Sequence, residues 1–359
     1  MDKNRQVIVM YFLVHMGLIF FMYPADIIAS TDQAHWIPIL VGIITHFTLV
    51  FIYLKGLSYF PNRSIISIYS QKGKIISFLF LIPILLYFLM SKIIIVRAFA
   101  EIINIVFLSK TPLWAVMALM ISISCYLAML GIDTIFRTGF VFSILLFPLI
   151  LFILMVSLQN IDLHYVFPLW NSDLSFLTDS SFYKTFLTIG GGFLFLGFIQ
   201  PTLTFQRKKI LISLIVIIPC FILSVYVPIL TYGQATTETF IFPFVMTLDS
   251  IKVDWLMFDR VTMFFILSLI TFIMLFISLI LWKTMSIVHH YLPFIKPNYV
   301  VLFLSLLVYS ICLYIPSWDV IESLFIWSTP LRLYVIFTVP LSIITLGFLS
   351  KIGGYQQNV

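Results

Sequence analysis

Apolar residues run through this chain in stretches of about 20 or more, separated by short polar clusters. A stretch of that length, coiled as a helix rising about 1.5 Å per residue, matches the hydrocarbon thickness of a bilayer. The pattern predicts ten spans, at about residues 6–29, 34–54, 74–107, 112–131, 132–158, 182–205, 210–232, 259–288, 299–315 and 324–349. A short interfacial piece at about 65–69 follows the turn Phe60-Pro61-Asn62-Arg63. The third span is too long to cross upright, so it should tilt or project beyond the hydrocarbon. Thr111-Pro112 reads as an N-cap with proline at the first helical position, opening the fourth. Polar loops carry Asp162, Asp173 and Asp179 before the sixth span, and Glu238, Asp249, Lys252 and Asp254 before the eighth. Lys3 and Arg5 precede an apolar run that many others follow, so that run reads as the first span and not as a removable leader.

Within this pattern the sixth span is unusual. It contains Thr188-Ile189-Gly190-Gly191-Gly192-Phe193-Leu194, and three glycines in a helix interior cost about 3 kcal/mol relative to alanines. Small residues on one face let helices pack closely. Three in succession, however, fan over about 200° of the helix, which predicts a broken helix. Broken backbone at membrane depth is tolerated where it is buried in protein or lines a cavity. The first span carries a matching interruption, read at Gly17 and at Tyr23-Pro24. The first and sixth spans each open a group of five, so the chain reads as one transmembrane domain of two inverted repeats, about 6–158 and 182–350. Paired discontinuous helices in corresponding positions point to a small-molecule site.

Charge orients this arrangement. With the N-terminus inside, ten spans place Lys3, Arg5, Lys55, Arg63, Lys72, Lys74, Arg137, Arg207, Lys208, Lys209, Lys283, Lys296 and Lys351 on the cytoplasmic side. Only Lys110, Lys184, Lys252 and Arg260 fall outside, and both termini are then cytoplasmic. Lys and Arg bias sets orientation, so the net charge of +6 reports topology and not nucleic-acid binding.

Composition agrees with the class and narrows the chemistry. The chain of 359 residues is 62% hydrophobic and 9% charged. Cys125, Cys220 and Cys312 lie scattered in apolar segments and predict neither a disulfide framework nor a metal site. No catalytic triad, paired carboxylates, phosphate loop or zinc spacing is present, so neither an enzyme nor a cofactor is expected. Candidate ligand contacts are Gly17, Gly190, Gly191, Gly192 and Leu194 at the breaks, with Phe20, Phe21 and Phe193 as apolar walls. Neither break is read as having an acid beside it, so carbonyls and hydroxyls would have to hold an ammonium group. Tyr87 and Ser91 share one face of the third span at i, i+4. Arg97 and Glu101, again at i, i+4, are expected to form a structural ion pair. Lys92 has no partner at helical spacing, Arg332 reads as a snorkelling interfacial anchor, and His15 and His46 read as satisfied core histidines.

Several stretches resemble a known family. They are Phe60-Pro61-Asn62-Arg63-Ser64, Arg97-Ala98-Phe99-Ala100-Glu101-Ile102-Ile103, Thr111-Pro112-Leu113-Trp114, Gly197-Phe198, Gly233, Pro243 and Phe258-Asp259-Arg260. In order and spacing they are similar to the B subunits of bacterial spore germinant receptors, within the amino acid–polyamine–organocation transporter superfamily. Asp259 departs from the Glu expected there. The resemblance implies an all-α, ten-helix inverted-repeat fold with helices one and six discontinuous, in the spore inner membrane. It implies a complex with a membrane A subunit and a lipoprotein C subunit, and recognition of a small nutrient such as an amino acid, nucleoside or sugar. It also implies that the third helix closes the pocket, which makes Tyr87 and Ser91 wall residues. The alternative expectation is an active secondary transporter for amino acids or related solutes.

Overall fold

The computed structural model describes residues 2–170, 174–251 and 261–356, and among these the ordered elements are all helical. Asp173, Lys252, Asp254 and the Phe258-Asp259-Arg260 motif lie outside the described residues. In chain order the elements begin with α1 (Lys3–Ile19) and α2 (Tyr23–Ser30), two limbs of one span bent by 52°. Then come α3 (Trp36–Leu57), the short α4 (Ile65–Gln71), α5 (Lys74–Val106), α6 (Leu113–Met129) and α7 (Ile132–Val156). The sixth predicted span is divided into α8 (Ser180–Lys184), α9 (Phe186–Gly191) and a 3-10 turn at Leu194–Gly197. Beyond it lie α10 (Arg207–Tyr232), α11 (Gln234–Thr237), α12 (Pro243–Asp249), α13 (Val261–Tyr291), α14 (Pro297–Tyr314), α15 (Trp318–Trp327) and α16 (Thr329–Gln356).

Seven of these helices, α3, α5, α7, α10, α13, α14 and α16, are long and apolar enough to cross a membrane, and the bent α1–α2 pair makes an eighth. α6 is apolar but has 17 residues. α5 has 33 residues, about 50 Å of helix at 1.5 Å per residue, against a hydrocarbon core of about 30 Å. Its excess length must tilt or project.

The helix ends follow local chemistry. Ser64 accepts from the Ser67 amide to start α4. Pro112 stands at the cap itself, and α6 begins at Leu113, one residue later than the sequence suggests. Gly131, at φ 92°, joins α6 to α7 in a backbone conformation that a side chain would strain.

α13 is the central strut. In its most apolar window 72% of residues are buried, against 33–56% in the other six long helices, and it touches α1, α5, α6, α7, α12 and α14. Large apolar side chains such as Ile144 and Leu145 on α7, Ile215 on α10 and Phe303 on α14 face outward. An apolar exterior around a packed interior is what lipid as solvent requires.

Candidate ligand site

α9 ends inside the glycine triplet. Gly191 is its last residue, Gly192 its C-cap, and the chain then tightens into the 3-10 turn. A helix end leaves its last carbonyls without partners, and in lipid these must be satisfied by protein. Side chains from α3, the second span, do so. His46 Nδ1 donates to the carbonyl of Ile189, and Tyr53 Oη donates to that of Leu194 at 3.1 Å. A carbonyl only accepts, so His46 carries its proton on Nδ1, and Nε2 accepts from Tyr11 Oη at 2.8 Å. Thr188 Oγ1 reaches the Leu18 carbonyl at 3.5 Å, linking the sixth span directly to the first.

Each glycine of the triplet admits a different neighbour. A Cβ on Gly190 would stand 2.2 Å from Ile336 Cδ1 of α16. One on Gly191 would meet Tyr87 Oη at 3.3 Å and Leu18 Cδ1 at 3.7 Å. One on Gly192 would stand 2.4 Å from the His15 ring. His15 Nδ1 donates to the Tyr11 carbonyl at 2.7 Å, while its Nε2 is buried with no hydrogen-bond partner among the described residues. The triplet thus brings together Tyr87, Leu18 and a bare imidazole nitrogen.

The first span breaks beside Tyr23-Pro24, one of the two interruptions the sequence suggests, and not at Gly17. α1 runs through Gly17, and the turn occupies residues 20–22, with Pro24 opening α2. A single glycine is affordable in a helix when packing compensates. At Gly17 that packing comes from Ile273 and Phe272 of α13, whose atoms lie 3.1 to 3.3 Å from where a Cβ would be. Phe20 packs on Phe244 at 4.7 Å between ring centroids, and Phe21 stacks on Phe99 at 3.8 Å. Phe193 meets Tyr53 at 5.5 Å and His46 at 6.1 Å. Ser91 is buried one turn from Tyr87 on α5. Further along that helix Arg97 contacts Glu101 and also donates to the Ile315 carbonyl at 3.3 Å.

An acid does stand beside a break, contrary to the sequence reading. Asp26, on the first turn of α2, is 4% exposed, and its carboxylate lies 3.2 Å from Lys184 Nζ on α8. Lys184 also reaches Glu322 of α15 at 3.0 Å. The buried ammonium therefore joins α8 to both α2 and α15. Beside it opens a pocket of about 250 Å³, lined in part by Met22, Asp26, Lys184, Glu238, Trp318 and Glu322. Both signs of charge face a small volume, an arrangement able to orient a zwitterion.

Arg332 departs furthest from its expected role as a snorkelling anchor. It is 1% exposed. It donates to the Lys184 carbonyl at 2.8 Å, to the Phe325 carbonyl at 2.6 Å and to Ser328 Oγ at 2.8 Å. One guanidinium thereby closes the ends of α8 and α15 and holds the backbone that presents Lys184. Lys283, assigned by charge bias to the cytoplasmic side, is fully buried, with its ammonium 4.1 Å from the Phe88 ring centre. Lys92 is buried as well, and neither ammonium has a hydrogen-bond partner among the described residues.

Comparison with known proteins accords with this architecture. A family model described as "Spore germination protein" matches residues 3–319. The chain is 27% identical over 286 residues to spore germination protein KB of Bacillus subtilis (strain 168), a match covering 78% of this chain and 76% of that protein. It is 24% identical over 233 residues to YfkT of the same organism, covering 64% of this chain and 63% of that protein. With most of its length matched and its long helices built for lipid, the chain belongs to the spore germination protein family of membrane proteins.

Proposed function

We propose that the chain is the nutrient-sensing subunit of a spore germinant receptor and holds a small germinant, such as an amino acid, where the first and sixth spans break. On this reading the fold is a ten-span 5+5 inverted repeat in the spore inner membrane with both termini cytoplasmic. It works beside a membrane A subunit and a lipoprotein C subunit. The observation that carries the reading is the buried Asp26–Lys184 pair, at 3.2 Å, between the outer limbs of the two broken spans and at the wall of a pocket. A zwitterion offers the same two charges. Its ammonium takes the place of Lys184 at Asp26, and its carboxylate takes the place of Asp26 at Lys184. Met22, Ile241 and Trp318 of the pocket then face its side chain, while Phe21, Tyr87, Ser91, Phe193 and the glycine triplet stand outside the pocket's lining. The unpartnered His15 Nε2 at Gly192 supplies an acceptor deeper in the break. Binding that separates α2 from α8 shifts the relative position of the two halves, and the partners read that shift.

The test is direct binding to the purified receptor, using amino acids of graded side-chain size with their α-hydroxy acid and decarboxylated analogues. At least one amino acid should bind, and either analogue should bind about 30-fold or more weakly, the scale of losing one partner of a buried charge pair. Asp26→Asn should erase the preference over the hydroxy acid. A hydroxy acid bound as tightly as its amino acid, or a fully responsive Asp26→Asn receptor, would overturn the reading. Solute accumulation by the chain alone in proteoliposomes would assign it transport instead.

A further inference from the structure

A second cavity lies away from the broken spans, on the outer surface of the helix bundle. It is a groove of about 450 Å³ between α1, α7 and α10, walled by Ile8, Phe12, Phe147, Ile212 and Val216, with Lys209 at its mouth. Ile212 and Val216 are more than half exposed along it. The starts of α1 and α10 meet at this mouth, where Lys3 Nζ donates to the Thr202 carbonyl at 3.0 Å and Asn4 Oδ1 accepts from the Gln206 amide at 2.8 Å. Arg207, Lys208 and Lys209 open α10 there, all exposed. Arg5 is exposed on the first turn of α1, with Asp2 3.7 Å away. The groove thus joins a largely apolar floor, whose polar members Ser143 and Ser213 bond to their own helices, to a cationic rim.

We propose that this groove binds one anionic phospholipid, its acyl chain between α1, α7 and α10 and its phosphate against Lys209 and its basic neighbours. Charge complementarity selects the headgroup, because basic residues at a membrane surface attract anionic lipid and leave zwitterionic lipid nearly indifferent. Shape selects the chain, because the groove is open along its length and carries no polar group on its floor beyond hydroxyls bonded to their own helices, as Ser213 Oγ is to the Ile210 carbonyl at 2.7 Å. α1 is the inner limb of the broken first span, so a lipid seated here fills the space between that limb and its two neighbours.

The full-length chain, purified in mild detergent and mixed with equal phosphatidylglycerol and phosphatidylcholine, should retain the anionic lipid in native mass spectrometry through washing that strips the zwitterionic one. Lys209→Gln should cut that preference roughly fivefold, and removing Lys208 as well should cut it roughly fivefold again. Val216→Trp, which fills the groove from an exposed position, should lower retention of phosphatidylglycerol with all charges intact. Equal retention of the two lipids, or undiminished retention by Val216→Trp, would refute the site. So would efficient cross-linking of Val216→Cys to another protein in native membranes, which would put a partner helix in the groove.

Discussion

At Gly192 the chain has no room for a methyl group, because a Cβ would stand 2.4 Å from the His15 ring. Gly192→Ala should therefore destabilise the protein by about 1–3 kcal/mol, the usual cost of overpacking, read as a lower thermal midpoint in detergent. Combining it with His15→Ala, which empties the opposing space, should restore part of the loss, and the non-additivity measures the contact. Gly191→Val acts differently. Its Cβ would meet Tyr87 Oη at 3.3 Å, a distance a small shift relieves, so the variant should insert and fold yet fail to respond to nutrient. Arg332 is costly for another reason. Replacing it with Leu takes the donor from the Lys184 carbonyl, and a buried group left unpaired costs about 1–3 kcal/mol, whereas the Phe325 carbonyl keeps Ser328 Oγ and Thr329 Oγ1. A drop of about 1–3 kcal/mol in unfolding free energy is expected, with Arg332→Lys recovering little because an ammonium cannot reproduce the guanidinium fork.

Elements divide here into rigid helices and two interruptions, and the interruptions are held by specific caps. α9 has only six residues, too short to be stable alone. It persists because α3 and α16 pack on it and because His46 of α3 takes its Ile189 carbonyl, while Tyr53 of α3 takes that of Leu194 in the turn beyond. Removing one cap should loosen the whole interruption before it unfolds the bundle. His46→Ala is thus expected to speed amide exchange across residues 186–197 while exchange in α13 stays at the wild-type rate. Uniform acceleration, or none, would mean that the break is held by packing alone. Arg97 and Glu101 illustrate the opposite case, a pair within one turn of α5 whose contact needs no other element, although the Ile315 carbonyl adds a tether to the segment after α14.

For the molecule as a whole, the Lys and Arg bias makes a prediction about sidedness. Cys125, Cys220 and Cys312 are free and buried, so an introduced exposed cysteine can be read against a quiet background. Thr239→Cys, beside the outer pocket, should react with a membrane-impermeant maleimide in intact vesicles of native orientation. Lys72→Cys, between α4 and α5, should react only after permeabilisation. Labelling of both from one side would undo the orientation and, with it, the description of the Asp26–Lys184 pocket as facing outward.

Span lengths, the break in the sixth span and the Arg97–Glu101 pair were open to reading from the sequence because each depends on neighbours within a few turns. Hydropathy over about 20 residues decides whether a helix prefers lipid, and three adjacent glycines weaken a helix wherever it is placed. Depth along a helix is also a local quantity; which face meets which partner is not. Hence the sequence puts Arg332 near an interface without showing its burial, and it offers Gly17 as a break where the fold makes it a contact with α13. Asp26 and Lys184 stand 158 positions apart in the chain, and no periodicity links them. Only the docking of α2 against α8 brings carboxylate to ammonium, and only the meeting of α3 with α9 gives His46 a carbonyl to cap. Composition and spacing determined that the chain crosses a membrane and where its backbone is weak; tertiary packing decided which charges face that weakness, because a buried charge is tolerated only where folding has delivered its partner.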